Sequence, residues 1–341
     1  MLSKCFVACN IYISAGLPRY GPFLIRLLED AQQQCLNSQQ LVAVVHAFSD
    51  VSYDRSSFHL AGTPMEVASV ASKIASQVLK ELPLLKETAE GSSTKDNLEH
   101  PQVGLVDHIS ILPLAEHNSH PLMTLEEWAA QTKSDLSQTS TNKASNDMPL
   151  KILPSGWAAR FICHELDSLV HVLFYGHAHV EGKSLATVRR ESTSFFCAPS
   201  TACPKVSYCT IGATPEFVEN YNIRLAPEID SKKTAQALTR WVRERDGGLP
   251  FVEALSLPYS QGRYEVACNL LNPKVTSAQT IDERVNDFMK MEKSPSLNIE
   301  TSYRVGTTEQ QCLRALEDIE SNKGNVKKYN ADVLKQFQSY F

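Results

Sequence analysis

The chain has 341 residues, 43% hydrophobic and 21% charged, with a formal net charge of −5 at pH 7. That is globular material for two domains or one large one. It lacks the basic footprint of a nucleic-acid binder and leaves room only for a local basic site for a small anion.

Residues 5–14 alternate, with Cys5, Val7, Cys9, Ile11 and Ile13 apolar, and predict a strand; Asn10 interrupts the apolar run that a signal peptide would need. Gly16 and Pro18 turn the chain, and Pro22 opens a helix whose buried stripe is Leu24, Leu27, Leu28, Ala31 and Cys35. Leu41 to Val45 is a compact apolar run, read as a central strand, and after a loop at 52–55 a short strand covers Ser56 to Leu60. Thr63-Pro-Met-Glu66 combines a capping box with proline at the first helical position, and its helix reaches about Leu82. A polar tract, 87–98, follows.

The stretch Glu99-His-Pro-Gln-Val-Gly-Leu-Val-Asp-His108 places an imidazole at the entrance of a strand, 103–112. Pro101 pushes His100 into extended backbone. Val103, Leu105, Ile109 and Ile111 define an apolar face on which Asp107 is the exception, while His108 and Ser110 lie on the other. A histidine with a carboxylate and a second histidine a few residues on is an acid–base arrangement. A loop histidine and a satisfied buried aspartate fit the same residues.

Residues 132–148 are rich in Ser, Thr and Asn and nearly free of apolar side chains, so they read as a disordered insertion. Helical pieces at 124–131 and 156–167 flank it, the second burying Trp157, Phe161 and Ile162, and a strand at 169–175, a helix at 185–191 and extended chain at 206–211 follow. A second round begins near Glu216: strand 217–225, a helix capped by Asp230, strands 251–257 and 264–270, a helix capped by Thr276 and Gln279, a strand at 298–305 and a helix from Thr307. Each half therefore reads βαββαβ, and the fold class is α+β: two tandem ferredoxin-like α/β-sandwich subdomains, 1–214 and 215–341, with a cleft between them.

Nine cysteines, an odd number at scattered spacings, read as reduced thiols in a cytosolic protein. Cys197, Cys203 and Cys209 recur every six residues, too far apart for a zinc pair, and Cys163-His-Glu-Leu lacks the second histidine four residues after His164, so no metal is expected. There is no G-x-G-x-x-G, Walker A loop or G-x-S-x-G elbow, which argues against Rossmann, P-loop and α/β-hydrolase enzymes. No stretch approaches a membrane span, so neither membrane nor nucleic acid is an expected partner, and the cytoplasm is the expected location.

Glu99-His-Pro-x-x-Gly-x-x-Asp107, with Tyr175-Gly176 and Ile211-Gly-Ala213 downstream, resembles the formiminotransferase domain family, and is closest to the single-domain plant and algal relatives of formiminotransferase-cyclodeaminase. Supporting segments in the same order are Ala47 to Arg55, Tyr175-Gly-His-Ala-His179, Val188-Arg-Arg-Glu191, Asn220-Tyr-Asn-Ile223, Gly247-Gly-Leu-Pro250 and Glu265 to Leu271. The resemblance implies transfer of a formimino (or formyl) group between N-formiminoglutamate and tetrahydrofolate as co-substrate, a glutamate formimidoyltransferase-like one-carbon activity, without a cyclodeaminase half. It implies that His100 is the catalytic base, with Asp107 and His108 as candidates to orient it. The resemblance implies folate contacts on Ala198, Pro199, Ser200, Thr201, Ala202, Cys203, Pro204, Lys205, Val206 and Ser207, where small residues would admit a flat pterin and Lys205 would meet a carboxylate; by residue type alone an ordinary Pro/Ser loop fits the same segment. Asp54, Arg55 and His108 are the substrate-binding candidates, Arg55 as a carboxylate clamp. Small-molecule partners and a homodimer are implied. Gln102 stands where an arginine usually follows the His-Pro pair, and Phe196-Cys-Ala-Pro199 replaces Asp-Phe-Gly-Pro. These departures feed a second reading: a folate-binding or interaction protein that keeps the fold without turnover.

Overall fold

The computed structural model describes residues 5–89, 102–114, 123–124, 127, 151–192, 208–228, 231–291, 298–321 and 326–341. His100, the 132–148 insertion, the Asp230 cap and the folate segment 198–207 lie outside the described residues. The chain divides into two units: the second is Glu216–Thr308, and residues 309–341 return to the first.

In the first unit, β1 (Phe6–Ile13), α1 (Gly21–Asn37), β2 (Val42–Asp50), β3 (Arg55–Gly62), α2 (Pro64–Ala89) and β4 (Val106–Leu114) follow the βαββαβ order, and their strands lie β2-β3-β1-β4, all antiparallel. Val7, Cys9, Ile11 and Ile13 are fully buried in one cluster with Leu24, Leu27 and Leu28 of α1 and Val67, Ile74 and Val78 of α2. One face of β1 therefore carries the core, and its even-numbered side chains point to the opposite face of the sheet. β5 (Met123–Thr124) and β6 (Lys151–Ile152) form a small antiparallel pair, absent from the expected elements. α3 (Pro154–Leu166), which buries Trp157, Ala158 and Ile162, leads to β7 (His171–Gly176), α4 (Leu185–Ser192) and β8 (Tyr208–Ala213). β8 pairs parallel to β4 and β7 parallel to β8, giving six strands in the order β2-β3-β1-β4-β8-β7.

Two capping expectations are corrected. Thr63 makes no side-chain cap; its Oγ1 is buried without a hydrogen-bond partner among the described residues, and Pro64 starts α2 with Val67 N donating to the Thr63 carbonyl at 3.0 Å. Helix α2 also runs to Ala89, past the expected end at about Leu82, past Pro83 and into the polar tract.

The second unit repeats the winding with β9 (Glu219–Leu225), α5 (Ser231–Val242), β10 (Val252–Tyr259), β11 (Arg263–Leu270), α6 (Ala278–Met291) and β12 (Ile299–Val305), in the order β10-β11-β9-β12. Its core joins Ile223, Leu238, Val242, Val266, Leu270, Ile281 and Val285. The cap of α6 is Ser277, whose Oγ accepts from Thr280 N at 3.2 Å, one residue beyond the expected Thr276, whose hydroxyl instead donates to the Pro250 carbonyl at 2.7 Å.

α7 (Glu309–Ser321) and α8 (Val326–Gln338) belong to the first unit and not to the 215–341 half in which the sequence reading put them. The reason is local: Phe337 packs on Phe58 with ring centroids 5.5 Å apart, Tyr329 OH donates to the Val45 carbonyl at 3.0 Å, and Gln32 donates to the Asn330 carbonyl at 2.9 Å. None of the helices among the described residues is long and apolar enough to cross a membrane.

Candidate functional site

The site lies on the face of the six-stranded sheet that the helical core leaves to polar side chains. β1 contributes Asn10 and Tyr12 there, opposite His59 and Ser57 of β3 and Ser110 and His108 of β4. His46 continues one row on β2, and Thr210 and Gly212 continue both on β8.

Asp107 is the charged centre of this face. The β1–β4 register pairs Tyr12 with His108 and then Ile13 with Val106, so Asp107 is the extra residue of a bulge. A bulge breaks the strict in–out alternation. The carboxylate expected on the apolar face instead meets two guanidiniums: Oδ2 accepts from Arg55 at 2.7 Å and from Arg189 at 3.1 Å. Oδ1 accepts from Val103 N at 2.7 Å, tying down the segment that follows Gln102. Asp107 is fully buried, while the side chains of Arg55 and Arg189 are 14% and 8% exposed. Two guanidiniums thus share one carboxylate oxygen. Arg55 also lies over the Tyr12 ring, 4.7 Å from its centroid.

His108 sits between two phenols. Its ring stacks on Tyr12 at 5.7 Å and on Tyr175 at 5.3 Å, with interplanar angles of 26° and 27°. Its Nδ1 is 3.1 Å from Thr210 Oγ1 and its Nε2 is 3.4 Å from Tyr175 OH, which donates to Ser110 Oγ at 2.9 Å. Burial, and then the nearby Arg189, hold the His108 pKa well below the ordinary histidine value. Tyr175 reaches this stack because Gly212 has no side chain: a Cβ there would overlap the Tyr175 ring. Gly212→Ala is therefore expected to cost about 1–3 kcal/mol by overpacking. Urea unfolding would show this, and the penalty should shrink in a Tyr175→Leu background; an equal penalty in both backgrounds would mean that ring overlap is not its source.

Asp54 and Gln102 build the neighbouring turn. Asp54 takes a left-handed backbone (φ 44°), and its Oδ1 accepts from Gly16 N at 2.6 Å and Leu17 N at 3.0 Å. Lys86, on the last turns of α2, donates to the Ser14 carbonyl at 2.7 Å and stands 3.9 Å from Asp54 Oδ2. Gln102 donates to the carbonyls of Tyr53 and Asp54, each at 3.4 Å. The Asp54 carboxylate is thus engaged with the backbone after β1, beside Arg55.

The other row holds His59, fully buried, with Nε2 3.0 Å from Ser57 Oγ and Nδ1 without a hydrogen-bond partner among the described residues. His46 lies edge-on at 5.5 Å. Burial lowers the pKa of both rings, and His46 lowers that of His59 further.

The second sheet carries a separate polar cluster. Glu265 Oε1 accepts from Arg224 Nε at 2.8 Å and Tyr303 OH at 2.7 Å, Oε2 accepts from Asn222 at 3.1 Å, and Arg224 lies 3.8 Å from the Tyr259 centroid. Among the described residues no three His, Cys, Asp or Glu side chains gather as a metal site, and the seven described cysteines form no disulfide with one another.

Of the sequence-expected site residues, the structure brings Arg55, Asp107 and His108 into one cluster and places Asp54 at its edge. Sequence reasoning gave no role to Arg189, Thr210, Tyr12, Tyr175 or His59. Arg189 and Tyr175 stood inside segments quoted for the resemblance, but no local signal marks them as Asp107 and His108 partners.

Two βαββαβ units, the first extended by two parallel strands and carrying a buried Arg–Asp–Arg cluster, define a tandem α+β protein. Residues 6–146 match the formiminotransferase domain, N-terminal subdomain. The chain is also 24% identical over 330 residues, 94% of its length and 100% of the relative's, to a formiminotransferase cyclodeaminase-like protein of Arabidopsis thaliana. It thus resembles the formiminotransferase domain family, as its motifs imply. Among solved structures, the periplasmic protease PqqL of Escherichia coli aligns with 100% of this chain and 41% of its own at 10% identity and a TM-score of 0.19. A predicted insulinase family protease from Yersinia pestis aligns with 98% and 85% at 10% identity and a TM-score of 0.19. Likenesses so weak carry no argument.

Proposed function

We propose that this protein is a folate-dependent transferase that moves a formimino or formyl group between N-formiminoglutamate and tetrahydrofolate, with His100 as general base. The observation that carries the reading is the family match over residues 6–146, which spans His100-Pro101 and, of the residues clustered around Asp107, Tyr12, Arg55 and His108. The Arg55 guanidinium beside Asp107, 14% exposed, supports it, because formiminoglutamate and the folate tail are both anionic and a guanidinium suits a carboxylate.

In this reading His100 takes the proton from the folate N5 amine as that nitrogen attacks the formimino carbon. The tetrahedral adduct then collapses, its bond to the glutamate nitrogen breaks, and the imidazolium returns the proton to the leaving amine. Imidazole suits both directions because its ordinary pKa lies near neutrality. Residues 198–207 contact the folate, with Lys205 on a carboxylate, and Arg55 and His108 face the formiminoglutamate; Asp54 supports them through its turn.

The test is release of glutamate from formiminoglutamate in the presence of tetrahydrofolate. His100→Ala is expected to lower kcat/KM about 10²–10⁴-fold, the usual contribution of a general base. A wild-type protein that binds folate and releases no glutamate would reject transfer and leave folate binding as its activity.

A further inference from the structure

We propose that Arg189 is a positioning residue which, through Thr210, fixes His108 in the tautomer with its proton on Nδ1 and its lone pair on Nε2. The Thr210 hydroxyl has one proton, and it is committed: Oγ1 donates to the Asp107 carbonyl at 2.9 Å. The same oxygen accepts from Arg189 at 3.1 Å. A hydroxyl oxygen has two lone pairs, so the one that remains faces His108 Nδ1 at 3.1 Å, and that nitrogen must be the donor. Arg189 also donates to Asp107 Oδ2, so the guanidinium holds the carboxylate and the hydroxyl at once.

The ring's other nitrogen faces Tyr175 OH at 3.4 Å, but that phenol donates to Ser110 Oγ at 2.9 Å. Nε2 is left as an acceptor. Among the described residues, the charged and titratable groups that face the ring are Tyr12 on β1, Arg55 on β3, Asp107 on β4, Tyr175 on β7 and Arg189 on α4. The two guanidiniums and burial disfavour a second proton, and Asp107 opposes them. His108 therefore presents a lone pair to the site and takes an N–H or O–H from whatever meets it. It does not supply a positive charge to a carboxylate.

The kinetic consequence rests on the transferase reading: there His108 accepts an N–H of the amine or amidine end of the substrate, while the carboxylate end is left to arginine. The tautomer itself does not rest on that reading.

The test uses the full chain labelled with 15N-histidine and long-range 1H–15N spectra, with His108→Gln to assign the ring. In the wild type the ring is expected to show a protonated Nδ1 and an unprotonated Nε2 throughout pH 6–8. Thr210→Ser should keep that pattern, and Thr210→Val, which removes the acceptor, should move the proton to Nε2. Arg189→Met should let the ring take a second proton at higher pH than in the wild type. A wild-type ring protonated at Nε2, or a Thr210→Val ring still protonated only at Nδ1, would overturn the proposal. The spectra give this answer whether or not glutamate is released, so failure of the tautomer and failure of the transferase reading are told apart. If transfer is found, Thr210→Val should lower kcat and Thr210→Ser restore it; unchanged kcat in Thr210→Val would remove Arg189 and Thr210 from the reaction.

Discussion

Asp107→Ala is expected to destabilise the first unit by about 3–5 kcal/mol, the range for breaking a buried ion pair by removing one partner. At 2–4 °C for each kcal/mol in a unit of this size, that lowers Tm by roughly 10 °C. The carboxylate is fully buried and accepts from Arg55, Arg189 and Val103 N, so its loss takes one acceptor from each of two nearly buried guanidiniums and from a backbone N–H. Asp107→Asn keeps the shape and still loses the charge, so it should cost almost as much. Arg55→Met should cost less, because Arg189 stays to neutralise Asp107 and Arg55 is the more exposed cation. The double variant Asp107→Ala/Arg189→Met should be more stable than Asp107→Ala alone, since it removes one of the stranded charges; such coupling is measurable by a double-mutant cycle. Urea unfolding followed by circular dichroism decides it. A loss below 1 kcal/mol for Asp107→Ala would mean that water reaches both guanidiniums and that the cluster is not held together by this carboxylate.

The architecture was legible because it rests on short-range periodicities. Alternation in 5–14, the helical stripe from Leu24 to Ala31 and the Val67–Leu82 face each report one buried surface, and two rounds of strand, helix, strand, strand, helix, strand leave few ways to wind. The failures lie where a neighbour decides. Helix α8 buries Val333 and Phe337 only because β2 and α1 offer a surface from the far end of the chain. The bulge at Asp107 is a property of the β1–β4 pairing, and no count along 103–112 could place that side chain with Arg55. Arg189 and Thr210 are 82 and 103 residues from Asp107, and no period connects them. Charge could have given one hint: α4 is a short helix with two arginines in its last turn, and a largely buried Arg189 needs an anion. The roles of His100 and of 198–207 came from the resemblance alone, since residue types and spacing fit an ordinary loop as well.

Acid should loosen the first unit well before its carboxylates titrate. His59 is fully buried and His108 nearly so, and burial is the largest cause of the lowered pKa in each; His46 adds to it for His59 and Arg189 for His108. In the unfolded chain both rings take up a proton near the ordinary value of about 6.5. Between that value and the lower native ones the unfolded state binds more protons, so stability rises with pH through this window and falls as pH drops below about 6.5. Each ring contributes a slope approaching about 1.4 kcal/mol per pH unit, about 2.7 kcal/mol for the two together. Urea midpoints measured from pH 8 to pH 5 should therefore stay level down to about pH 7 and then decline, with His46 steepening the decline in the same direction. His59→Gln and His108→Gln should each remove about half of the two-ring slope, whatever they cost at pH 8. A midpoint that is flat from pH 7.5 to 5.5 in the wild type would mean that both rings accept protons inside the fold. That outcome would also deprive His108 of the lone pair on which its place in the site depends.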